Sequence, residues 1–322
     1  MKQNTNSKKQ KASRSRLKTR PFAALAFLFL ILGTLANAQN QRFFYEYKYI
    51  PDSTNRSDVK TEMMILDVNK NGSKYYSHEK FVSDSITKAE VEKQLQSGLS
   101  GFGNINIQKR DKPGSVDYSV TKTYPDYEVF LHKNIQSDNY KIAEDQKPEW
   151  KLFPEKQQIG TYNTQKATAN FGGREWTAWF CNDIPIPDGP YKFHGLPGLI
   201  VKVEDKTGSF EMTLVGNKKN YSTSDTDIKL PGNMIAFGLG GNEIEVSKKQ
   251  FRKVWQDYIN DPAKNMRQMM MKMGDGTKTV IKMKTEDGKE ITDMSEIYRG
   301  VEQRTKEMLE KNNNEIEPEL FH

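Results

Sequence analysis

A single cysteine, Cys181, occurs in 322 residues, so no internal disulfide can form, and stability has to come from packing even in an oxidising compartment. No cysteine follows the apolar run near the start of the chain, which excludes a lipid-modified anchor at that point. The four histidines, His78, His132, His194 and His322, lack metal spacing such as H-E-x-x-H, and Cys181 has no recognisable catalytic context. There is no G-x-S-x-G, no P-loop and no G-x-G-x-x-G ahead of a helix. No cofactor is implied. Carboxylate-based catalysis leaves no local signature, so these absences weaken the case for an enzyme without closing it.

Acid is also missing from the first 20 residues, which carry Lys2, Lys8, Lys9, Lys11, Arg14, Arg16, Lys18 and Arg20. Such a segment stays on the cytoplasmic side of a membrane while the apolar run Phe22 to Leu35 enters it. That run is shorter than the roughly 20 residues a spanning helix needs. Ala36-Asn37-Ala38 then supplies a small-polar-small cleavage site. The expectation is a cleavable export signal over residues 1–38 and a single β-rich domain over 39–322, located in the periplasm, at the outer membrane or outside the cell. No later run has spanning length. Removing the eight basic residues of the leader turns 49 Lys plus Arg against 42 Asp plus Glu into 41 against 42. A nearly neutral mature chain argues against nucleic acid as a partner.

Strands dominate the first two thirds. Phe43, Tyr45, Tyr47 and Tyr49 alternate with Phe44, Glu46 and Lys48, placing an aromatic row on one face of a strand. Residues 61–68 and 73–82 flank Asn69-Lys70-Asn71-Gly72, a hairpin pattern. Thr87-x-x-Glu90 predicts a capping box opening a short helix that ends near Gly98. The stretches NINIQK, YSVTKTY and YEVFLHK predict further strands. Residues 164–171 and 174–181 around Gly172-Gly173 predict a second hairpin, and 199–205 with 209–217 a third. Helical periodicity follows. Ser247-x-x-Gln250 predicts a capped helix, Asp261-Pro262 the start of another, residues 278–292 a hairpin, and Ser295 to Lys311 a last helix.

The fold class expected is therefore α+β and mostly β: a large curved antiparallel sheet of about ten strands, with its aromatic face covered by carboxyl-terminal helices. By analogy it is similar to the half-open barrel of the LolA-type periplasmic carriers.

The most distinctive stretch runs from Trp179 to Ile200. Leu196-Pro197-Gly198-Leu199 predicts a type II turn, with glycine supplying positive φ at the third position. Asp188-Gly189-Pro190 predicts another reversal, and four prolines confine the span to an ordered loop between strands. On these residues the chain resembles the GLPGLI family, after the hexapeptide Gly195, Leu196, Pro197, Gly198, Leu199 and Ile200. The likeness extends to the preceding W-F-x-x-x-I-P and G-P-Y-x-F segments and to Asn313-Asn314-Glu315-Ile316-Glu317 near the carboxyl end. It implies an exported envelope protein of Bacteroidetes-type bacteria, with no assigned activity and no catalytic residues.

Turn formers and apolar residues give the motif a structural reading. The functional alternative is an exposed loop that presents Trp179, Tyr191, Phe193 and His194 to an apolar ligand or an outer-membrane partner. Two further patterns carry weaker chemistry. Met266, Met269, Met270 and Met273, with Met271 beside them, could ligate Cu(I), but the i, i+3, i+4, i+7 spacing equally marks the buried stripe of a helix. Asp67, Asn69, Asn71 and Gly72 imitate the start of a calcium loop, yet its twelfth position is His78 rather than glutamate, and a hairpin turn fits better. Two functions follow: a binding or carrier module, or a hydrolase of peptide or glycan working through Asp183 and Asp188.

Overall fold

The computed structural model describes residue 1 and residues 40–96, 116–136, 138–219, 221, 243–273, 283–284 and 290–321. The export segment and the NINIQK stretch lie outside the described residues. Period-two patterning of the chain from Gln41 onward produces one sheet. Its strands are β1 (Gln41–Tyr49), β2 (Lys60–Asn69), β3 (Gly72–Ser77), β4 (Tyr118–Thr123), β5 (Val129–Ile135), β6 (Asp138–Ala143), β7 (Lys151–Ile159), β8 (Tyr162–Phe171), β9 (Arg174–Cys181), β10 (Leu199–Asp205), β11 (Phe210–Lys219) and β12 (Ile244–Ser247). The spatial order is β12-β6-β5-β4-β3-β2-β1-β11-β10-β9-β8-β7. All pairings are antiparallel except the parallel pair β12 with β6. The sheet does not close. Its free edges are β12 and β7, and β7 carries Pro154, Lys151 and Lys156 along a solvent-facing strand, features that discourage pairing with another chain.

Five helices complete the described fold: α1 (His78–Gln96), α2 (Lys248–Asn260), α3 (Lys264–Met273), α4 (Met294–Lys311) and α5 (Pro318–Phe321). The two-residue strands β13 (Met283–Lys284) and β14 (Glu290–Ile291) make the small separate hairpin anticipated there. The capping box at Ser247 and Gln250 forms as expected, with the serine hydroxyl and glutamine side chain answering each other's backbone amides.

Two local expectations need correction. The helix after β3 begins at His78, not near Thr87: the Ser77 hydroxyl accepts from the Lys80 amide at 3.0 Å, so the capping chemistry lies ten residues earlier and Phe81 leaves the sheet to pack on Tyr76. The helix expected at Asp261-Pro262 starts at Lys264, after a turn closed by the Asp261 carbonyl. Strands β6, β7 and β12 had no sequence signal strong enough to mark them.

The core lies on one face of the sheet. Phe43, Tyr45 and Tyr47 of β1 point into it, joined by Leu66, Tyr75, Val120, Leu131, Trp176, Phe180, Val203 and Met212. Helix α2 covers part of that face with Phe251 and Trp255, and α5 adds Leu320 and Phe321. On β2 the alternate residue Ile65 is buried as well, because α1 packs against β2 and β3. Helices therefore cover the sheet near its middle as well as at the carboxyl end.

Candidate functional site

The loop between β9 and β10 lies across the inner face of the sheet. Lys122 on β4 donates to the carbonyls of Gly189 at 2.7 Å and Phe193 at 3.3 Å, although β4 and β10 stand five positions apart, roughly 24 Å on a flat sheet. The Lys122 ammonium also meets the Asp188 carboxylate at 2.5 Å, with both side chains fully buried. Asp188 further accepts from the Gly189 amide and the Tyr124 hydroxyl. Burial pulls the Lys122 pKa down and Asp188 pulls against it. A short reversal links Asp188 to His194 as an isolated antiparallel bridge, with the Phe193 amide donating to Pro190 and the Gly195 amide to Pro187.

This arrangement corrects the exposed-loop reading. Tyr191 and Phe193 are 1% and 0% exposed, Phe193 sits amid Trp150, Phe171 and Trp176, and His194 is buried against the ring of Tyr127 at 4.7 Å. Trp179 is half-buried and falls on the face of β9 opposite Trp176. The four residues do not form a common exposed surface. Gly198 is also corrected. Positive φ falls at Gly195 (91°) and Tyr191 (53°), and Gly198 is not among such residues; glycine is required there because an added Cβ would stand 2.1 Å from the Cys181 carbonyl oxygen. Gly198→Ala is therefore expected to part β9 from β10 and cost about 3 kcal/mol, while Gly195→Ala, with open space around it, costs about 1 kcal/mol for its backbone conformation. Urea unfolding of both variants checks the order; equal midpoints would remove the close-approach argument.

The GPYK segment meets the carboxyl-terminal segment in a second buried cluster. Tyr191 donates to Glu317 at 2.7 Å, and Lys192 bridges Glu144 at 2.7 Å and Glu317 at 2.6 Å. Lys248 completes it by pairing with Glu144. Desolvation, then Glu317, hold the Tyr191 hydroxyl well above its usual pKa. Asn314 accepts from Arg174 and donates to the Ile50 carbonyl, and Ile316 is buried. The two segments quoted for the family likeness are thus one packed unit.

Asp183 and Asp188 do not share a site. Asp183 faces solvent, whereas Asp188 is enclosed and its oxygens are occupied by Lys122, Tyr124 and Gly189. Asp67 accepts from Arg42 and Tyr76, and Asn69 pairs with Gly72, so that stretch is a hairpin turn. Of the methionines, Met266 and Met270 are half-buried on α3 and Met271 is exposed; the side chains of Met269 and Met273 lie outside the described residues. No helix among the described residues is long and apolar enough to cross a membrane.

The site that the loop backs is a cleft of about 320 Å³ between the sheet, α2, α4 and the segment Asn312–Ile316. Tyr47 and Tyr49 of β1 stack at 4.8 Å, and Tyr47 lies nearly parallel to Phe210 of β11. Across from the sheet, Trp255 and Tyr258 of α2 and Leu309 of α4 supply apolar surface. Tyr118 of β4 lines the cleft and contacts Tyr191 edge-on at 5.5 Å, so the motif loop forms the wall behind it. Few charges enter. Lys133 is paired with Asp117 at 2.8 Å. Glu315 is the other, and burial is the main cause that raises its pKa above the ordinary carboxylate value.

Sequence reasoning did not find this cleft. The alternating Tyr47 and Tyr49, the stripe holding Trp255 and Tyr258, and the Asn-Asn-Glu-Ile-Glu segment were each visible, but nothing local says that they converge.

No functionally curated protein matches the chain in sequence. Two solved structures of a protein named PNGF-II, in the P21 and C2 space groups, share 16% identity with it, at TM-scores of 0.42 and 0.41. Each alignment covers 67% of this chain, which spans only about a third of theirs (33% and 32%). Residues 172–202, from the β8–β9 turn through the motif loop into β10, match the model of a protein family of unknown function, Porph_ging.

Proposed function

We propose that the chain is an exported protein of the bacterial envelope that binds a small, largely apolar ligand in the aromatic cleft and performs no chemistry on it. The observation that carries this reading is the cleft: rings from β1, β4, β11 and α2 line an open space of about 320 Å³, with the amides of Asn134, Gln136, Asn312 and Asn314 and the charges of Asp117, Lys133 and Glu315 on its polar side. Its volume is in the lower size range of small-molecule sites. That volume holds roughly ten waters, which favours a compact ligand over a two-chain lipid. The leader supports the address, through its basic start, apolar run and Ala36-Asn37-Ala38 site, as does the GLPGLI likeness at Gly195 to Ile200. The hydrolase alternative loses its named residues, since Asp188 is enclosed while Asp183 is solvated.

Native mass spectrometry on protein isolated from the envelope of its own host is the test. A stoichiometric small mass that leaves on denaturation is expected. A chain carrying only its own mass, whose tryptophan fluorescence also stays unmoved on titration with an extract of that envelope, would overturn the proposal.

A further inference from the structure

Charge inside the cleft is unevenly matched. Lys133 is committed to Asp117, and Arg174, which reaches the same segment, is held by Asp205, the Asn314 side chain and the Glu315 backbone carbonyl. The Glu315 carboxylate lines the cleft, and among the described residues its side chain has no hydrogen bond or ion pair. A partly buried carboxylate without a partner is costly in a finished fold, and here it faces the space left for a ligand.

The surrounding rings have the matching electrostatics. Tyr47 lies within 21° of Tyr49 and 18° of Phe210, so three ring planes are roughly aligned on the sheet side. Trp255 and Tyr258 stand on the helix side, 5.6 Å apart. Aromatic faces are electron-rich and attract cations, most strongly where water is thinned. Lys133 and Arg174 act on Glu315 through space, but both are held by other carboxylates. An anionic ligand would meet Glu315 and Asp117 beside Lys133, and a wholly apolar one would leave the Glu315 carboxylate desolvated without a direct partner.

We infer that the ligand of this cleft carries an organic ammonium group, received by the Glu315 carboxylate beside the rings of Tyr49 and Trp255, with its apolar body against Phe210 and Leu309. The inference rests on the reading that the cleft binds a small apolar ligand, and it names the class of that ligand. Glu315 is the specificity-determining group, and the rings set the size of the body.

Three probes share one tail: 4-phenylbutan-1-amine, 4-phenylbutan-1-ol and 4-phenylbutanoate, titrated by calorimetry at neutral pH into protein isolated from its host and freed of bound ligand. The amine is expected to bind roughly tenfold or more tighter than the alcohol, and the carboxylate more weakly than either. Glu315→Gln keeps the shape and is expected to reduce the amine to the affinity of the alcohol, leaving the alcohol unchanged and the melting temperature equal or higher, since the desolvated charge is gone. Equal binding of amine and alcohol to the parent protein, or a preference that survives in Glu315→Gln, overturns the ammonium assignment while the apolar cleft stands. Binding of none of the three overturns both.

Discussion

An Asp188→Ala variant is expected to lose about 3–5 kcal/mol of folding stability, because it strands a buried ammonium. Lys122 has no exposed side-chain surface, and the carbonyls of Gly189 and Phe193 that remain to it offer dipoles in place of a neutralising charge. The same change removes the acceptor used by the Tyr124 hydroxyl and the Gly189 amide. The partner variant Lys122→Met with Asp188→Asn keeps an acceptor for the Gly189 amide, turns an amide donor toward the Tyr124 hydroxyl oxygen and leaves no unpaired charge, so it is expected to regain most of the loss. Urea unfolding of the parent, Asp188→Ala and the double variant makes the comparison. If Asp188→Ala stays within the roughly 0.5 kcal/mol typical of a surface substitution, the pair is not what holds the loop to β4.

Mild acid should be nearly as damaging, through His194. Its imidazole is 5% exposed, its Nε2 is buried with no hydrogen-bond partner, and its pKa falls from 6.5 to about 4. Desolvation is the first cause; Lys122 and Lys147 push the same way, against Asp188 and Glu144. The unfolded chain takes up this proton near pH 6.5 and the folded chain only near 4, so the unfolded state holds more protons in between. Stability contributed by the neutral ring is complete above about 6.5 and is lost as pH falls toward 4, about 3 kcal/mol in all. His194→Gln should lack this loss. Unfolding free energies at pH 7 and pH 4 for both proteins check it, and equal falls in the two would show that His194 is not the acid-sensitive group.

Legibility of the fold tracked how local its causes are. The hairpins at Gly72 and at Gly172-Gly173 and the Ser247 box depend on residues a few positions apart, and those formed where the pattern placed them. Strand β7 was invisible because an edge strand facing solvent needs no alternation: its sequence KLFPEKQQI is exposed almost throughout. The start of α1 was missed because Phe81-Val82 continues the apolar character of β3, and only packing against β2 and β3 decides that the chain turns helical. The site was less legible than the fold. Phe193 and Tyr191 look like display residues in a proline-rich loop, but the loop faces inward, where Trp176 and Glu317 receive them. The cleft draws on β1, β4, β11, α2, α4 and residue 315, a convergence that only tertiary structure creates.

The pairing of β1 with β11 joins Tyr49 to Phe210 and Gln41 to Lys219, positions about 160 to 180 residues apart in the chain. Closing a flexible loop of that length costs about 4–5 kcal/mol of entropy before any contact offsets it. The first strand therefore emerges from synthesis able to pair with β2 alone, and its other edge waits for the last third of the chain. Until β11 arrives, the aromatic row of Phe43, Tyr45 and Tyr47 is uncovered beside open backbone groups, so late connectivity sets both a slow folding step and the interval in which the chain is most exposed to aggregation.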